Sequence, residues 1–379
     1  MKVPTFSSRL RSPAVAARLG VWVGICFGVC FVTGLISHYA QLPQQPVAFP
    51  TSPSWGYRLT QTLHVVSGTA AIPLLLLKLW AVYPRLFQAL PRRLGEVVLS
   101  ALERGSIAVL VAGSLLELGI GVMNVAQWYL WRFDFRATHY ALAWAVIGAL
   151  LVHVAVKLPV IRDALTSDVD SIGADRPEAV AAGVVGRRAV IRTGWLAAAV
   201  AVVTASSAAG TVPGLDRLAV LSPRSRRSGI PVNRTAADAR VAPAALGVGY
   251  RCRVEHAGGS AAFTRADLLA LPQSTHTLAI ACVEGWSADG SWTGVPLREV
   301  LDRVGAPRGR AVVVTSLEPQ GPERVSTLPA DFADDPRTLL ALALDGEPLS
   351  LDHGYPVRLI APDRPGALQT KWIARIEVL

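Results

Sequence analysis

The chain has 379 residues, of which 51% are hydrophobic and 17% charged; the charged share is well below the quarter usual in soluble domains, and so apolar a chain is not a disordered one. Of its 37 Lys/Arg and 27 Asp/Glu, residues 1–213 hold 18 and 9, leaving a near-balanced 19 and 18 for residues 214–379. Basic charge interleaved with apolar runs, rather than gathered on a folded domain, argues against a nucleic-acid partner, and four Cys are too few for a disulfide scaffold.

In chain order, five apolar stretches approach the ~20 residues that cross a bilayer: 16–39, 59–82, 106–130, 139–158 and 194–212. The first is too long, and too closely followed by further spans, for a cleaved signal peptide. With the N-terminus inside, the cytoplasmic segments carry Lys2, Arg9, Arg11, Arg18, Lys78, Arg85, Arg92, Arg93, Arg104, Lys157, Arg162, Arg176, Arg187, Arg188 and Arg192. The outer loops carry only Arg58, Arg132 and Arg136, as the positive-inside rule requires. Trp55, Tyr57, Trp128, Tyr129 and Trp131 then fall at the outer boundary. Five spans from an inside start place residues 214–379 outside.

Four of the seven His lie in or at the ends of these spans: His38, His64, His139 and His153. Ionisable groups within a membrane are functional candidates by default. His139 and His153 are 14 apart, within ~40° of one another around a helix and ~21 Å apart along it, the spacing of two stacked haem ligands. By depth, an outer haem b is built from His64 and His139, with His38 as substitute ligand or propionate partner. His153 serves a second, inner haem that lacks an obvious partner. The rival arrangement is one haem between His64 and His153. Glu117, mid-span, is either a proton-handling group at a quinone site or a neutral carboxyl bonding a neighbouring helix. Met123 reads as core. The His pattern resembles the membrane cytochrome b subunits of formate dehydrogenases and hydrogenases, although His38 lies at the opposite end from that family's first-span ligand.

Residues 159–193 form a polar cytoplasmic loop ending in Gly186-Arg187-Arg188-Ala189-Val190-Ile191-Arg192, directly before the fifth span. This resembles a twin-arginine export signal, which implies export of a domain already folded around its cofactor. Residues 214–230, rich in Arg, Ser, Gly and Pro, read as a linker.

From residue 231 the pattern predicts strands over 250–255, 277–283, 311–316, 357–361 and 372–378, with helices over 264–271, capped by Thr264, and 296–304. Two blocks stand out: Ala281-Cys282-Val283-Glu284-Gly285-Trp286-Ser287 with Trp292-Thr293-Gly294-Val295-Pro296, and Asp352-His353-Gly354-Tyr355-Pro356-Val357-Arg358 with Lys371-Trp372-Ile373. A thiolate is a soft metal ligand, and Arg and Lys recognise phosphate. Together the blocks resemble the molybdopterin-binding domain of the sulfite oxidase superfamily over residues 230–379. The resemblance implies Cys282 as molybdenum ligand and catalytic residue, and His353, Arg358 and Lys371 around the pterin and its phosphate, with Asn233 and Arg234 as a weaker second contact. Cys252 reads as structural, and Cys26 and Cys30 as helix packing. The resemblance stops short of the immunoglobulin-like and soluble haem domains of sulfite oxidases, and so lies closer to bacterial molybdopterin reductases of methionine sulfoxide, whose haem-bearing membrane partner is a separate chain.

The expected fold class is an all-α membrane bundle of five transmembrane helices followed by a mixed α+β molybdopterin-binding domain. The expected division is a cytochrome b domain (1–158), cytoplasmic loop (159–193), fifth span (194–213), linker (214–230) and extracytoplasmic oxidoreductase domain (231–379). The expected function is a membrane-bound molybdopterin oxidoreductase of a bacterial inner membrane. It transfers oxygen atoms at Cys282-ligated molybdenum and exchanges electrons through haem with quinone or quinol. A sulfoxide is the first-choice substrate and a sulfite-like compound the second. The alternatives are a non-catalytic membrane binding or sensor protein retaining the fold, and an electron carrier for another enzyme.

Overall fold

The computed structural model describes residues 6–84, 94–212, 214–223 and 229–379; Lys2, Arg85, Arg92, Arg93 and residues 224–228 of the expected linker lie outside the described residues. The chain divides into two compact units, one of Met1–Gly34 with Leu63–Pro223 and one of Leu35–Thr62 with Arg224–Leu379. The long connection between the first two helices thus belongs with the C-terminal domain, which the sequence reading did not anticipate.

Five long helices run through the first part of the chain: α1 (Pro13–Ala40), α2 (Gly56–Val82), α3 (Leu94–Ala126), α4 (Phe135–Thr166) and α5 (Arg187–Ala205). Each contains a window long and apolar enough to cross a membrane. Their outward faces remain apolar, with Leu151, Val156 and Leu196 more than half exposed. The inward faces interlock through Val15, Leu19, Val23, Leu74, Ile191 and Ala198. Gly194 permits the close approach of α5, since a Cβ there would lie 3.0 Å from Leu77 and 3.2 Å from Leu19.

The boundaries differ from the apolar stretches for identifiable reasons. α4 starts at Phe135 because the Asp134 carboxylate caps it, accepting the Ala137 N–H at 3.0 Å. α3 ends at Ala126, before the aromatic run 128–131. α5 begins at Arg187 and ends at Ala205, so the arginine pair opens the helix rather than preceding it. Arg187 is 5% exposed, paired with Asp175, and donates to the carbonyls of Arg9 (3.0 Å), Val169 (3.2 Å) and Ser171 (2.6 Å). Arg188 is exposed and pairs with Asp168 and Asp170.

The second unit is built on two sheets. Its short helices are α6 (Ala242–Leu246), α7 (Arg265–Leu269), α8 (Leu297–Arg303) and α9 (Ala330–Asp334). Its strands are β1 (Cys252–His256), β2 (Gly259–Phe263), β3 (Ser274–Ala281), β4 (Ser287–Pro296), β5 (Val312–Ser316), β6 (Val325–Leu328), β7 (Leu339–Leu344), β8 (Glu347–Pro348), β9 (Arg358–Ile360) and β10 (Ile373–Val378). One sheet has the order β2-β1-β10-β5-β6, with β1 and β10 parallel; the other is β3-β4-β7-β8, with β9 also on β7. Alternation along β5 sends Val312 and Val314 into a core shared with Val254, Leu301, Leu340, Leu359 and Ile376. Thr264 caps α7 in a full capping box with Asp267. A Cβ at Gly294 would lie 2.2 Å from the Leu340 carbonyl oxygen, so only glycine allows the β4–β7 pairing at that point.

Candidate functional site

Cys282 follows the last residue of β3 in the tight turn that leads to β4. Its N–H donates to the Trp286 carbonyl (2.9 Å), and the Gly285 N–H donates back to the Cys282 carbonyl (3.0 Å). Gly285 has φ +79°, the left-handed conformation such a reversal needs and glycine supplies without strain. Trp286 donates its indole N–H to Glu284 at 2.9 Å, which fixes the turn. The outcome is a buried thiol, 1% exposed, at the wall of a cleft.

That cleft gathers residues distant in sequence. Asn233, Cys282, His353, Arg358 and Lys371 all line it. Arg358, the first residue of β9, is 5% exposed, with its guanidinium carbon 5.3 Å from the Trp292 ring centroid. Burial lowers its pKa to about 10, the Cys282 sulfur opposing the shift. One N–H reaches the His353 carbonyl at 3.1 Å, while its buried Nε has no partner. Lys371 donates to the carbonyls of Arg234 and Asp352, the latter at 3.1 Å. Burial first, then the neighbouring Arg358 charge, drive its pKa down to about 7 against the pull of Glu318, Asp352 and Cys282.

Two expected contacts are placed differently. The Arg234 guanidinium pairs with Glu318 at 3.1 Å, and it is the Arg234 carbonyl that meets Lys371. His353 lines the cleft, but its Nδ1 meets the Ser350 hydroxyl (2.8 Å) and its Nε2 the Ile230 carbonyl (3.0 Å). The carbonyl can only accept, so Nε2 carries the proton, and burial lowers the pKa of this neutral ring. His353 therefore anchors the chain before Asn233. Asp352 anchors the chain after Asn233, accepting the Ala236 N–H at 2.8 Å.

The sequence reading missed Pro231, Val232, Ile280, Trp286, Asp352 and Gly366 as lining residues. Trp286 and Asp352 lay inside the quoted blocks and were legible there. Gly366 was not: its role is the close passage of chain, a Cβ there lying 2.9 Å from the Ala281 carbonyl oxygen.

Among the described residues no group of three or more His, Cys, Asp or Glu could hold a metal ion. A lone thiolate suits a metal that arrives with other ligands of its own, and the orphaned Arg358 Nε, beside Lys371, suits an anionic group. Cys282, Arg358 and Lys371 thus fit a metal on a phosphate-bearing organic cofactor.

In the helical unit, the structure brings His64 of α2 and His139 of α4 together, with ring centroids 6.1 Å apart at 74°. Two imidazoles sharing one metal stand at about this separation, given about 2 Å from metal to each nitrogen. The His64 Nδ1 lies 3.0 Å from the Cys30 carbonyl, leaving Nε2 as the ligating atom. The His139 Nδ1 lies 3.2 Å from Glu117, near enough to pair but off the angle of a hydrogen bond. Gly34 and Gly121 flank the two rings, at 3.0 and 3.6 Å from where a Cβ would stand. These residues fit a bis-histidine haem. His153 is 14 residues beyond His139 on α4, ~21 Å along it, so His64 stands with His139 and not with His153. His38, near the end of α1, packs edge-on against Tyr39 at 5.4 Å.

Residues 242–379 match the family model described as oxidoreductase molybdopterin binding domain. The chain is 34% identical over 117 residues to a candidate protein-methionine-sulfoxide reductase subunit, YedZ1, of Azospira oryzae, covering 31% of this chain and 44% of that protein. It is 42% identical over 110 residues to the protein-methionine-sulfoxide reductase catalytic subunit MsrP of Xanthomonas campestris pv. campestris, covering 26% and 34%. It is 30% identical over 154 residues to the mitochondrial sulfite oxidase of Drosophila melanogaster, covering 34% and 27%. The chain spans less than half the length of each. Its C-terminal region is a molybdopterin-binding oxidoreductase domain.

Proposed function

We propose that this chain, with its molybdopterin-binding oxidoreductase domain, is a membrane-bound sulfoxide reductase that draws electrons from quinol through a b-type haem. The observation that carries the reading is the convergence of Cys282, Arg358 and Lys371 on one cleft from three separate parts of the chain. Cys282 would hold molybdenum, and Arg358 and Lys371 the cofactor's phosphate. When bound, the metal supplies two-electron oxygen-atom transfer. The chain's own residues do the rest. The Cys282 turn fixes the thiolate, Arg358 and Lys371 balance negative charge in a dry site, and Asp352 and His353 hold the segment bearing Asn233 over the cleft.

Sulfoxide as substrate is supported by the names of two relatives, one called a subunit and the other a catalytic subunit of a protein-methionine-sulfoxide reductase. The sulfite oxidase relative favours sulfite oxidation as the second reading. Haem is supported by the facing His64 and His139 rings, and membrane residence by five apolar helices. On the positive-inside count the N-terminus is cytoplasmic and the oxidoreductase domain lies outside the inner membrane.

The test is protein purified from membranes, analysed for molybdenum and haem and assayed with methionine sulfoxide, other sulfoxides, N-oxides and sulfite. Reduction of a sulfoxide that Cys282→Ser abolishes, with the haem spectrum intact, is expected. Protein with neither molybdenum nor a b-type spectrum would mark a binding or sensor protein instead, and a haem protein without turnover an electron carrier.

A further inference from the structure

Glu117 lies within α3 and is 8% exposed, in a stretch of the helix that otherwise reads Leu115, Leu116, Leu118 and Ile120. A carboxyl group in such surroundings is costly unless something satisfies it. Its Oε1 lies 3.2 Å from the Nδ1 of His139 on α4. Its Oε2 is buried without a hydrogen-bond partner, and so is the His139 Nδ1. A buried orphan acceptor thus stands against a buried nitrogen that can donate, and neither has water to turn to.

Distance is already met, and only the angle is short of a hydrogen bond. The imidazole ring and the carboxyl group both turn in broad torsional wells, so the angle is the cheap part to correct. The other acceptor near the ring, the Glu117 backbone carbonyl, belongs to the α3 ladder. His64 is held by different chemistry: its Nδ1 meets the Cys30 backbone carbonyl at 3.0 Å and the Thr33 hydroxyl at 3.3 Å. Of the two facing rings, one is backed by a carboxyl group and the other by neutral backbone and hydroxyl.

We propose that Glu117 is a positioning residue of the haem site, its carboxyl group accepting the Nδ1 hydrogen of His139 and so leaving Nε2 to face the iron. This rests on the reading of His64 and His139 as axial ligands. Acceptance of the Nδ1 hydrogen makes the ligating imidazole more basic, which favours ferric over ferrous iron and lowers the reduction potential. A haem of lower potential is the stronger donor to whatever it reduces. The carboxyl of α3 thereby sets the driving force of the haem without touching it.

The test is redox titration of the full chain purified with its haem. Glu117→Leu removes the carboxyl acceptor, and Glu117→Gln keeps a carbonyl of nearly the same reach. Glu117→Leu is expected to keep the low-spin spectrum with a midpoint moved to more positive potential, and Glu117→Gln to move it the same way by less. A parental midpoint in Glu117→Leu overturns the proposal and leaves the backbone carbonyl as the group that holds the ring. A shift in Glu117→Gln as large as that in Glu117→Leu also overturns it, since an acceptor would then have rescued nothing. Should Glu117→Leu fail to hold haem, Glu117→Asp withdraws the same group by one methylene and must show the positive shift; a parental midpoint there overturns the proposal equally. The two levels separate in the parent. A parental chain without a bis-imidazole low-spin spectrum removes the haem reading itself, whereas that spectrum with unmoved midpoints in the variants removes only the role of Glu117.

Discussion

Lys371 carries the clearest trade of stability for binding. Its pKa, lowered to about 7 by burial and by Arg358, lies below that of the unfolded chain. Between pH 7 and about 10.5 the unfolded state binds a proton that the folded state does not, so stability of the cofactor-free protein rises with pH across that window. Lys371→Met removes the titration. It is expected to raise the unfolding temperature of cofactor-free protein near pH 7 while reducing molybdenum content severalfold; a fall in both would mean that the lysine supports the fold instead. On the proposed haem reading, His64→Ala and His139→Ala are each expected to abolish the low-spin haem spectrum, because each would remove one axial ligand. His38→Ala is expected to leave it unchanged. His153→Ala distinguishes one haem from two, since loss of about half the absorbance requires a second haem at that depth. A full low-spin spectrum in His139→Ala would sink the pairing.

At the scale of elements, the connection between α1 and α2 is attached by side chains that also serve the C-terminal sheets. Asp363 caps α2, Arg364 donates to Gln45 at 2.6 Å, and Arg337 donates to the Thr51 carbonyl at 2.9 Å. Burial raises the Asp363 pKa to about 6, more than the N–H groups of Tyr57 and Gly56 can offset. A carboxyl raised in the folded state contributes stability that is full below the unfolded pKa near 4 and is lost as pH rises through 6. Asp363→Asn keeps an acceptor for one of the two N–H groups and has no charge to bury. Relative to this variant, the parent is expected to lose on the order of 1–2 kcal/mol between pH 4 and 6. Parallel curves of unfolding temperature against pH for the two proteins would show that Asp363 is not titrating in this window.

For the whole molecule, the proposed membrane topology requires the C-terminal domain to cross the membrane. The resemblance of Arg187-Arg188 to a twin-arginine signal implies that it folds around its cofactor before export. The structure gives Arg187 a second role, since its buried guanidinium satisfies three carbonyls and Asp175, a fork that Lys cannot reproduce. The two arginines therefore separate by experiment. Arg188→Lys is expected to be neutral for stability, within about 0.5 kcal/mol, because its pairs are exposed. Arg187→Lys is expected to lower the unfolding temperature. If the pair is an export signal, Arg188→Lys alone impairs surface exposure of residues 214–379, read by protease access in spheroplasts. Unimpaired exposure would leave the pair a structural and topological element only.

The sequence by itself determined the five apolar helices, the strand and helix positions of the C-terminal domain to within a few residues, and the thiolate, Arg and Lys of the cleft. These follow from local pattern: apolar length, alternation, a Thr264 cap, and two compact blocks of residues. It did not determine that residues 35–62 fold with the C-terminal domain, that Arg234 turns to Glu318, or that His353 is engaged at both ring nitrogens. Each depends on groups brought together across up to 319 positions of chain, as Arg364 is to Gln45. Periodicity reports which face of an element is buried; what that face meets is decided by packing.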